Sequence, residues 1–516
     1  MRNKYLYITL LAILGLSPEM LAQSKIQYAP RLVVSITIDQ LRTDYLEAFS
    51  PLYSNEGFKR LLSQGMVFSN ASYPYSPIDR ASAIATVVTG ITPSYHSIVS
   101  GQWLDHESLR PVSCTGEKQT PDLLTTSTIT DELKVATEGK SKVFGVAPTM
   151  DAAILSAGHA ADGAFWIDDQ SGQWSISDYY GAAKTQWLSA YNVANSPAKE
   201  GAADCWEPVI ELSGTFNYFQ HTANTQKPFK HKFNGHDKYA QLKTSGIING
   251  YVTNMALQCV TQETLGFDRI TDFLNISYYA GTFNHAAMSK FQFEMQDTYV
   301  RLDRELANLI TTIERKVGAE NVLFVVTSTG YSDVESADYE KYRIPTGTFN
   351  ITRASNLLNM FFGALWGQGR YIETCFRNQM FLNHQLLESK RISLTDASQR
   401  AQEFLSQMSG VRNVYSGLQL LVSNNEQIQK IRNGYNATRC GDIIIEVSPG
   451  WNIFNENTKD TQLSRASFIQ FPIIFYGAGT KAELIKDRVS VDRIAPTIAK
   501  NIRIRAPNAC SAEPLF

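Results

Sequence analysis

The residues able to do chemistry fall in a few short stretches of this chain. Asp39 stands at the carboxyl end of the apolar run Leu32 to Ile38, and open α/β sheets place ligands at such strand ends. In the stretch from Ser76 to Gly90, Pro77 punctuates a turn, Asp79 suits a helix N-cap, and small residues continue as far as Gly90. Arg80 therefore sits at a helix N-terminus, an end that favours anions. Ser82 and Thr86 follow on that helix, and Asp151 and His285 come later. A Ser82 or Thr86 hydroxyl with Asp39, Asp79, Asp151 and His285 around one metal ion would be a hydrolytic set. Each member also has a structural use, Asp39 as a cap or ion pair at a strand end and His285 as a hydrogen-bonded loop histidine.

The elements that must position these residues read as α/β. Apolar runs beginning near Leu32, Lys142, Phe273, Asn321 and Phe471 suit strands buried on both faces of one mostly parallel sheet. Met295, Tyr299, Leu302, Leu306, Leu309, Ile313 and Val317 recur at spacings of four and three, which predicts a long amphipathic helix between two of those strands. Shorter helices are expected at Gly57 to Gly65, Thr126 to Gly139, Ser398 to Ser409 and Ser490 to Asn501, with a strand at Asp442 to Val447. Met66 to Ala71 leads back toward the sheet. The stretches of about 171–266 and about 335–460 read as two insertions in a single domain of residues 23–516. Its core is expected at about 30–100, 140–170, 268–335 and 462–516.

With 516 residues, 43% of them hydrophobic, the chain can bury a large core. A net charge of −2 asks for no nucleic acid. Residues 1–22 carry a short basic start and an apolar run from Tyr5 to Leu16, the pattern of a cleavable signal peptide. Export to the periplasm or outside the cell follows as an expectation, with no transmembrane segment after cleavage. The 6 scattered cysteines permit up to three disulfides or none, and no pairing is assigned.

The first strand, the Ser76 to Gly90 turn and helix, and Thr92 to Ile98 together resemble the entry segment of the alkaline phosphatase superfamily. The likeness is greatest to the periplasmic phosphate-irrepressible alkaline phosphatases and the nucleotide pyrophosphatase/phosphodiesterases. Ala157 to Asp168 resembles a further segment of the irrepressible group. The resemblance covers essentially the whole mature chain and implies a central sheet flanked by helices on both faces. It also implies a Thr or Ser nucleophile at the helix start and two metal ions, usually zinc, held by six protein ligands. Matched residue by residue, the nucleophile place holds Arg80. Asp39 and His285 keep two ligand places, while Gly281, Thr329 and Gly330 stand at three others and the last falls between Gln462 and Ser464, where there is no histidine. An Asn expected beside the phosphate matches Gly101, and a Lys and an Arg match Thr149 and Asp151. An aspartate facing a phosphoryl dianion repels it.

The resulting expectation is a catalytically inactive homologue, without bound zinc, that binds a protein, glycan or phosphorylated ligand in the cell envelope. Two alternatives stand beside it. One is a metal-dependent phosphomonoesterase or phosphodiesterase with a remodelled site, in which Asp333 is a displaced ligand; the other is a structural component of an envelope assembly. His96 and His159 carry no ligand spacing and read as structural. Arg80 is expected to contact Asp39, directly or through Asp79 or Asp151.

Overall fold

The computed structural model describes residues 29–181, 186–200, 205–210, 229–286, 291–333, 339, 342–422, 425–462 and 469–516. Residues 1–22 and the ligand place between Gln462 and Ser464 lie outside the described residues. A nine-stranded sheet organises the fold. Its strands are β1 (Leu32–Asp39), β2 (Met66–Ser72), β3 (Val143–Val146), β4 (Gly163–Ile167), β5 (Trp174–Ile176), β6 (Asp272–Tyr279), β7 (Val322–Ser328), β8 (Phe471–Gly477) and β9 (Glu483–Ser490). Across the sheet they run β9-β2-β8-β7-β1-β6-β3-β4-β5.

β1 lies in the middle, parallel to β6 on one side and β7 on the other. Every residue of these three strands is buried, as continuous runs of Val, Ile, Leu and Phe require of strands covered on both faces. Asp39 pairs in register with Tyr279, and Ile38 with Ser328, so three strand ends deliver Asp39, Gly281 and Thr329 to one place.

Five strand pairs are parallel and three antiparallel. The strand expected near Phe471 is present and runs antiparallel to both neighbours, in a sheet that remains mostly parallel. Its direction has a topological cause. The chain leaves the carboxyl end of β7, builds the second insertion, and re-enters at the same edge of the sheet.

The helices that matter for the site are α1 (Arg80–Thr89), α2 (Met150–Ala157), α3 (Lys238–Lys243), α4 (Ile248–Gln262) and α5 (Gln292–Val317). α5 buries Met295, Tyr299, Leu302, Leu306, Leu309, Ile313 and Val317 in the main core, as their spacing predicts. The reading of 171–266 as an insertion needs correction at both ends. Trp174–Ile176 is an edge strand of the central sheet, and α4 packs Ile248, Val252, Met255, Ala256, Cys259 and Val260 into the main core. A crossover helix is what the passage into the parallel strand β6 demands.

The second insertion carries two small sheets and an apolar cluster of its own, with Leu358, Phe362, Tyr371, Leu405, Ile443 and Ile453 at its centre. It joins the main body beside the turn before α1, where Ser76 N donates to Lys430 O at 3.0 Å and Asn433 Nδ2 to Pro74 O at 2.9 Å. All six cysteines are free thiols, three of them buried.

Candidate functional site

α1 starts where Asp79 caps it. The Asp79 carboxylate accepts from Ser82 N at 3.0 Å, and Asp79 N donates to the Ser82 hydroxyl at 3.1 Å, a reciprocal capping box. The other Asp79 oxygen accepts from Gly101 N at 2.8 Å. Gly90 ends the helix in the left-handed conformation, φ 67°, a backbone state that glycine adopts without strain. Ser82 is thereby spent on the helix start. Thr86 lies deeper, 3.1 Å from His96 Nε2, while His96 Nδ1 accepts from Ile98 N at 3.1 Å. That acceptor role leaves the His96 proton on Nε2, and burial pushes its pKa down to about 3, so it is a neutral core group.

Arg80 leaves the first turn of α1 toward the carboxyl ends of the strands. Its Nε donates to Asp151 Oδ2 at 3.1 Å, and its Nη2 reaches Asp151 Oδ1 at 3.2 Å and Oδ2 at 3.0 Å. Nη1 lies 3.6 Å from Asp39 Oδ2. The forked guanidinium thus takes two carboxylates at once, which a point-charge ammonium does less well. Burial raises the Asp151 pKa, yet the facing guanidinium more than offsets this and holds it below the usual carboxylate range. Asp39 differs: burial outweighs Arg80 and the Thr329 hydroxyl, and its pKa is raised.

From Asp39 a chain of bonds runs outward. Thr329 Oγ1 donates to Asp39 Oδ1 at 2.8 Å and accepts from Gln40 N at 2.9 Å. Gln40 Nε2 donates to Asp333 Oδ2 at 2.7 Å, and the same oxygen bonds His285 Nδ1. His285 is a half-exposed loop residue with a buried carboxylate partner. Thr149, which lines the same cavity as His285, is the N-cap residue of α2 but makes no cap bond.

The glycines differ in what surrounds them. A Cβ at Gly101 would lie 3.9 Å from Asp79 and Asp151 oxygens, an ordinary contact. One at Gly281 would come within 2.5 Å of Tyr279 Oη and 2.9 Å of Gln40 Cδ, because the Tyr279 ring fills that space. One at Gly330 would meet the Tyr73 ring at 2.6 Å. Structural zinc sites take four donors and catalytic ones at least three protein donors, near 2.0–2.3 Å. Among the described residues no three His, Cys, Asp or Glu side chains are grouped so as to hold a metal ion.

The family profile described as type I phosphodiesterase / nucleotide pyrophosphatase matches residues 33–468. The chain belongs to this family. Its place in the alkaline phosphatase superfamily is also seen in a 28% identity over 521 residues to alkaline phosphatase PafA of Elizabethkingia meningoseptica, covering 94% of each protein. A protein of Myroides odoratus named calcium-transporting ATPase is 27% identical over 526 residues, 96% of this chain and 95% of that one. The crystal structure of wild-type PafA superposes with a TM-score of 0.82 at 27% identity, covering 94% of this chain and 98% of that one. A further PafA crystal structure carries substitutions at a threonine, an asparagine, a lysine and an arginine. Murine ectonucleotide pyrophosphatase/phosphodiesterase 5, at TM-score 0.52 and 11% identity, shares the fold.

In this phosphodiesterase-family fold Arg80, Asp39, Asp151 and Thr329 come together as one cluster, with Gly101 and Thr149 on its rim and His285 reaching it through Asp333 and Gln40. Gly281 and Gly330 are backed by aromatic rings. Gln40, Tyr279, Lys243 and Asp169 were not legible as site residues. Gln40 follows Asp39 directly and could have been suspected, whereas Lys243 and Asp169 lie 74 positions apart with no local pattern to join them. No helix among the described residues is long and apolar enough to cross a membrane.

Proposed function

We propose that this member of the phosphodiesterase family is an exported protein that has kept the fold for binding and does not hydrolyse phosphate esters. The observation that carries the reading is Arg80, whose guanidinium stands at the start of α1 with Asp151 on one side and Asp39 on the other. By resemblance that place belongs to a hydroxyl nucleophile, and a guanidinium cannot attack phosphorus. The same cation offsets the carboxylates that two zinc ions would otherwise offset. The donors on hand do not fit such ions, since Asp39 faces Arg80 and Asp333 is bonded by His285 and Gln40. The crowding of Tyr279 at Gly281 supports the reading independently. The partner is a protein, glycan or phosphorylated ligand of the envelope, in keeping with the signal-like first 22 residues.

The names of the full-length relatives favour a rival reading, a hydrolase with a remodelled site. Ser82 and Thr86 argue against it, being bonded to the helix start and to His96. Elemental analysis of the purified mature protein, beside a panel of phosphomonoesters and phosphodiesters, separates the two. The expected result is zinc far below stoichiometric and no turnover, in the wild type and in Arg80→Thr alike. Two zinc ions per chain, or turnover by either protein, refutes the inactive reading.

A further inference from the structure

Lys243 ends α3 with its side chain only 8% exposed, yet its partner Asp169, 2.6 Å away, is 68% exposed. The two meet at the cleft. Both line an inner cavity of about 200 Å³ together with Arg80 and Asp39, and both line a wider outer one of about 580 Å³ together with Asp151 and Arg377. A buried ammonium carries three donors, and among the described residues only Asp169 Oδ1 accepts one of them. Burial holds the Lys243 pKa down, with Asp169 as the main opposing influence. Arg80 is in the contrary state, with its Nε and Nη2 bonded to Asp151 and its Nη1 3.6 Å from Asp39 Oδ2.

Asp169 is largely exposed. It belongs to the exposed turn after β4, and that turn is fixed by its neighbour Asp168, which accepts from Ser171 N at 2.7 Å and Ser171 Oγ at 2.8 Å. Asp169 can swing outward without undoing those bonds. A desolvated cation is then paired with a solvated anion, and the anion is the exchangeable half.

We propose that Lys243 anchors the carboxylate of a small hydroxylated acid, and that Asp169 occupies this place as an internal stand-in until the ligand displaces it. The proposal rests on the binding reading above and names the ligand class for the same cleft. Charge selects the monoanion. With Asp169 swung out, Asp39, Asp79, Asp151 and Asp168 face Arg80, Lys243 and Arg377 around the two cavities, and His285, which lines both, is paired with Asp333. A carboxylate replaces Asp169 charge for charge, whereas a phosphomonoester dianion adds a negative charge to an already acidic lining. Thr37, Thr149, Thr244 and Ser277 are among the residues that line the inner cavity, a lining that suits a body bearing hydroxyl groups.

Calorimetric titration of the mature full-length protein with D-glucuronate, D-glucose and D-glucose 6-phosphate tests this, with inorganic phosphate release followed in the same samples. Glucuronate is expected to bind, glucose and glucose 6-phosphate to bind more weakly or not at all, and Lys243→Gln to lose glucuronate binding. Asp169→Asn, at an exposed position, removes the internal competitor and is expected to tighten glucuronate severalfold. That variant keeps the proposal falsifiable should Lys243→Gln fail to fold. Glucose 6-phosphate binding as tightly as glucuronate, no glucuronate binding by the wild type, unchanged binding by a folded Lys243→Gln, or equal or weaker binding by Asp169→Asn overturns it. Phosphate release refutes the inactive reading instead, and missing glucuronate affinity without phosphate release refutes only the Lys243 assignment.

Discussion

Replacing Arg80 by alanine is the sharpest perturbation of the site, because one side chain neutralises two carboxylates. Asp151 and Asp39 keep only 14% and 5% of their side-chain exposure, so the variant leaves two desolvated charges facing each other. Removing one partner of a buried ion pair typically costs about 3–5 kcal/mol. Arg80 itself retains 29% exposure, so solvent replaces part of the lost interaction and about 2–3 kcal/mol is expected. The pH dependence gives the more searching test. Asp151 has a depressed pKa in the folded protein, so its contribution is present above the unfolded carboxylate value of about 3.9 and fades as pH falls through the folded value. Asp39 has a raised pKa, so it opposes folding above that value and ceases to do so once protonated. Without the guanidinium both pKa values rise, and protonation relieves the variant at a pH where the wild type still depends on the ion pair. The deficit of Arg80→Ala, read from urea unfolding between pH 7 and pH 4, should be largest near neutrality and shrink on acidification. A deficit below about 0.5 kcal/mol, as for a screened surface arginine, or one independent of pH, would refute the reasoning.

Two further outcomes are expected. Gly281→Asp must displace the Tyr279 ring, whose hydroxyl donates to Thr282 O at 2.8 Å, and overpacking of this kind costs about 1–3 kcal/mol; an unchanged urea midpoint would show the space to be free. His159, bonded through Nδ1 to Asp131 at 2.8 Å, has its pKa raised because the carboxylate outweighs the effect of burial, and burial in turn fails to stop the Asp131 pKa from being lowered. The pair should stabilise most between the unfolded values of about 3.9 and about 6.5, weakening as pH rises through the folded His159 value or falls through that of Asp131. NMR titration should therefore place His159 above an ordinary histidine, and a value at or below about 6.5 would contradict the geometry.

What the sequence showed and what it hid follow from range. Runs such as Leu32 to Ile38 and Asn321 to Thr327 announce buried strands because both faces of the central strands are covered. α5 declares itself through seven apolar residues at helical spacing, and Asp79 through its place before a small-residue helix. Strand direction has no such local signature, so the antiparallel course of β8 came from where the chain re-enters the sheet. α4 lies inside a stretch rich in polar residues, which masks the helical spacing that Ile248, Val252, Met255 and Cys259 keep. In the cluster, a contact of Arg80 with Asp39, directly or through Asp79 or Asp151, is legible because family geometry fixes where the helix start points; the structure bonds Arg80 to Asp151 with Asp39 3.6 Å away. The links through Gln40 to Asp333 and between Lys243 and Asp169 join distant segments by side-chain reach alone, and residue order does not encode that.

The Tyr279 ring behind Gly281 bears on the history of the chain. An acidic side chain cannot settle at position 281 while the ring stands there, and moving the ring breaks its bond to Thr282 before any new bond can form. An acidic residue at this position therefore carries a packing cost at once, before any other change can offset it.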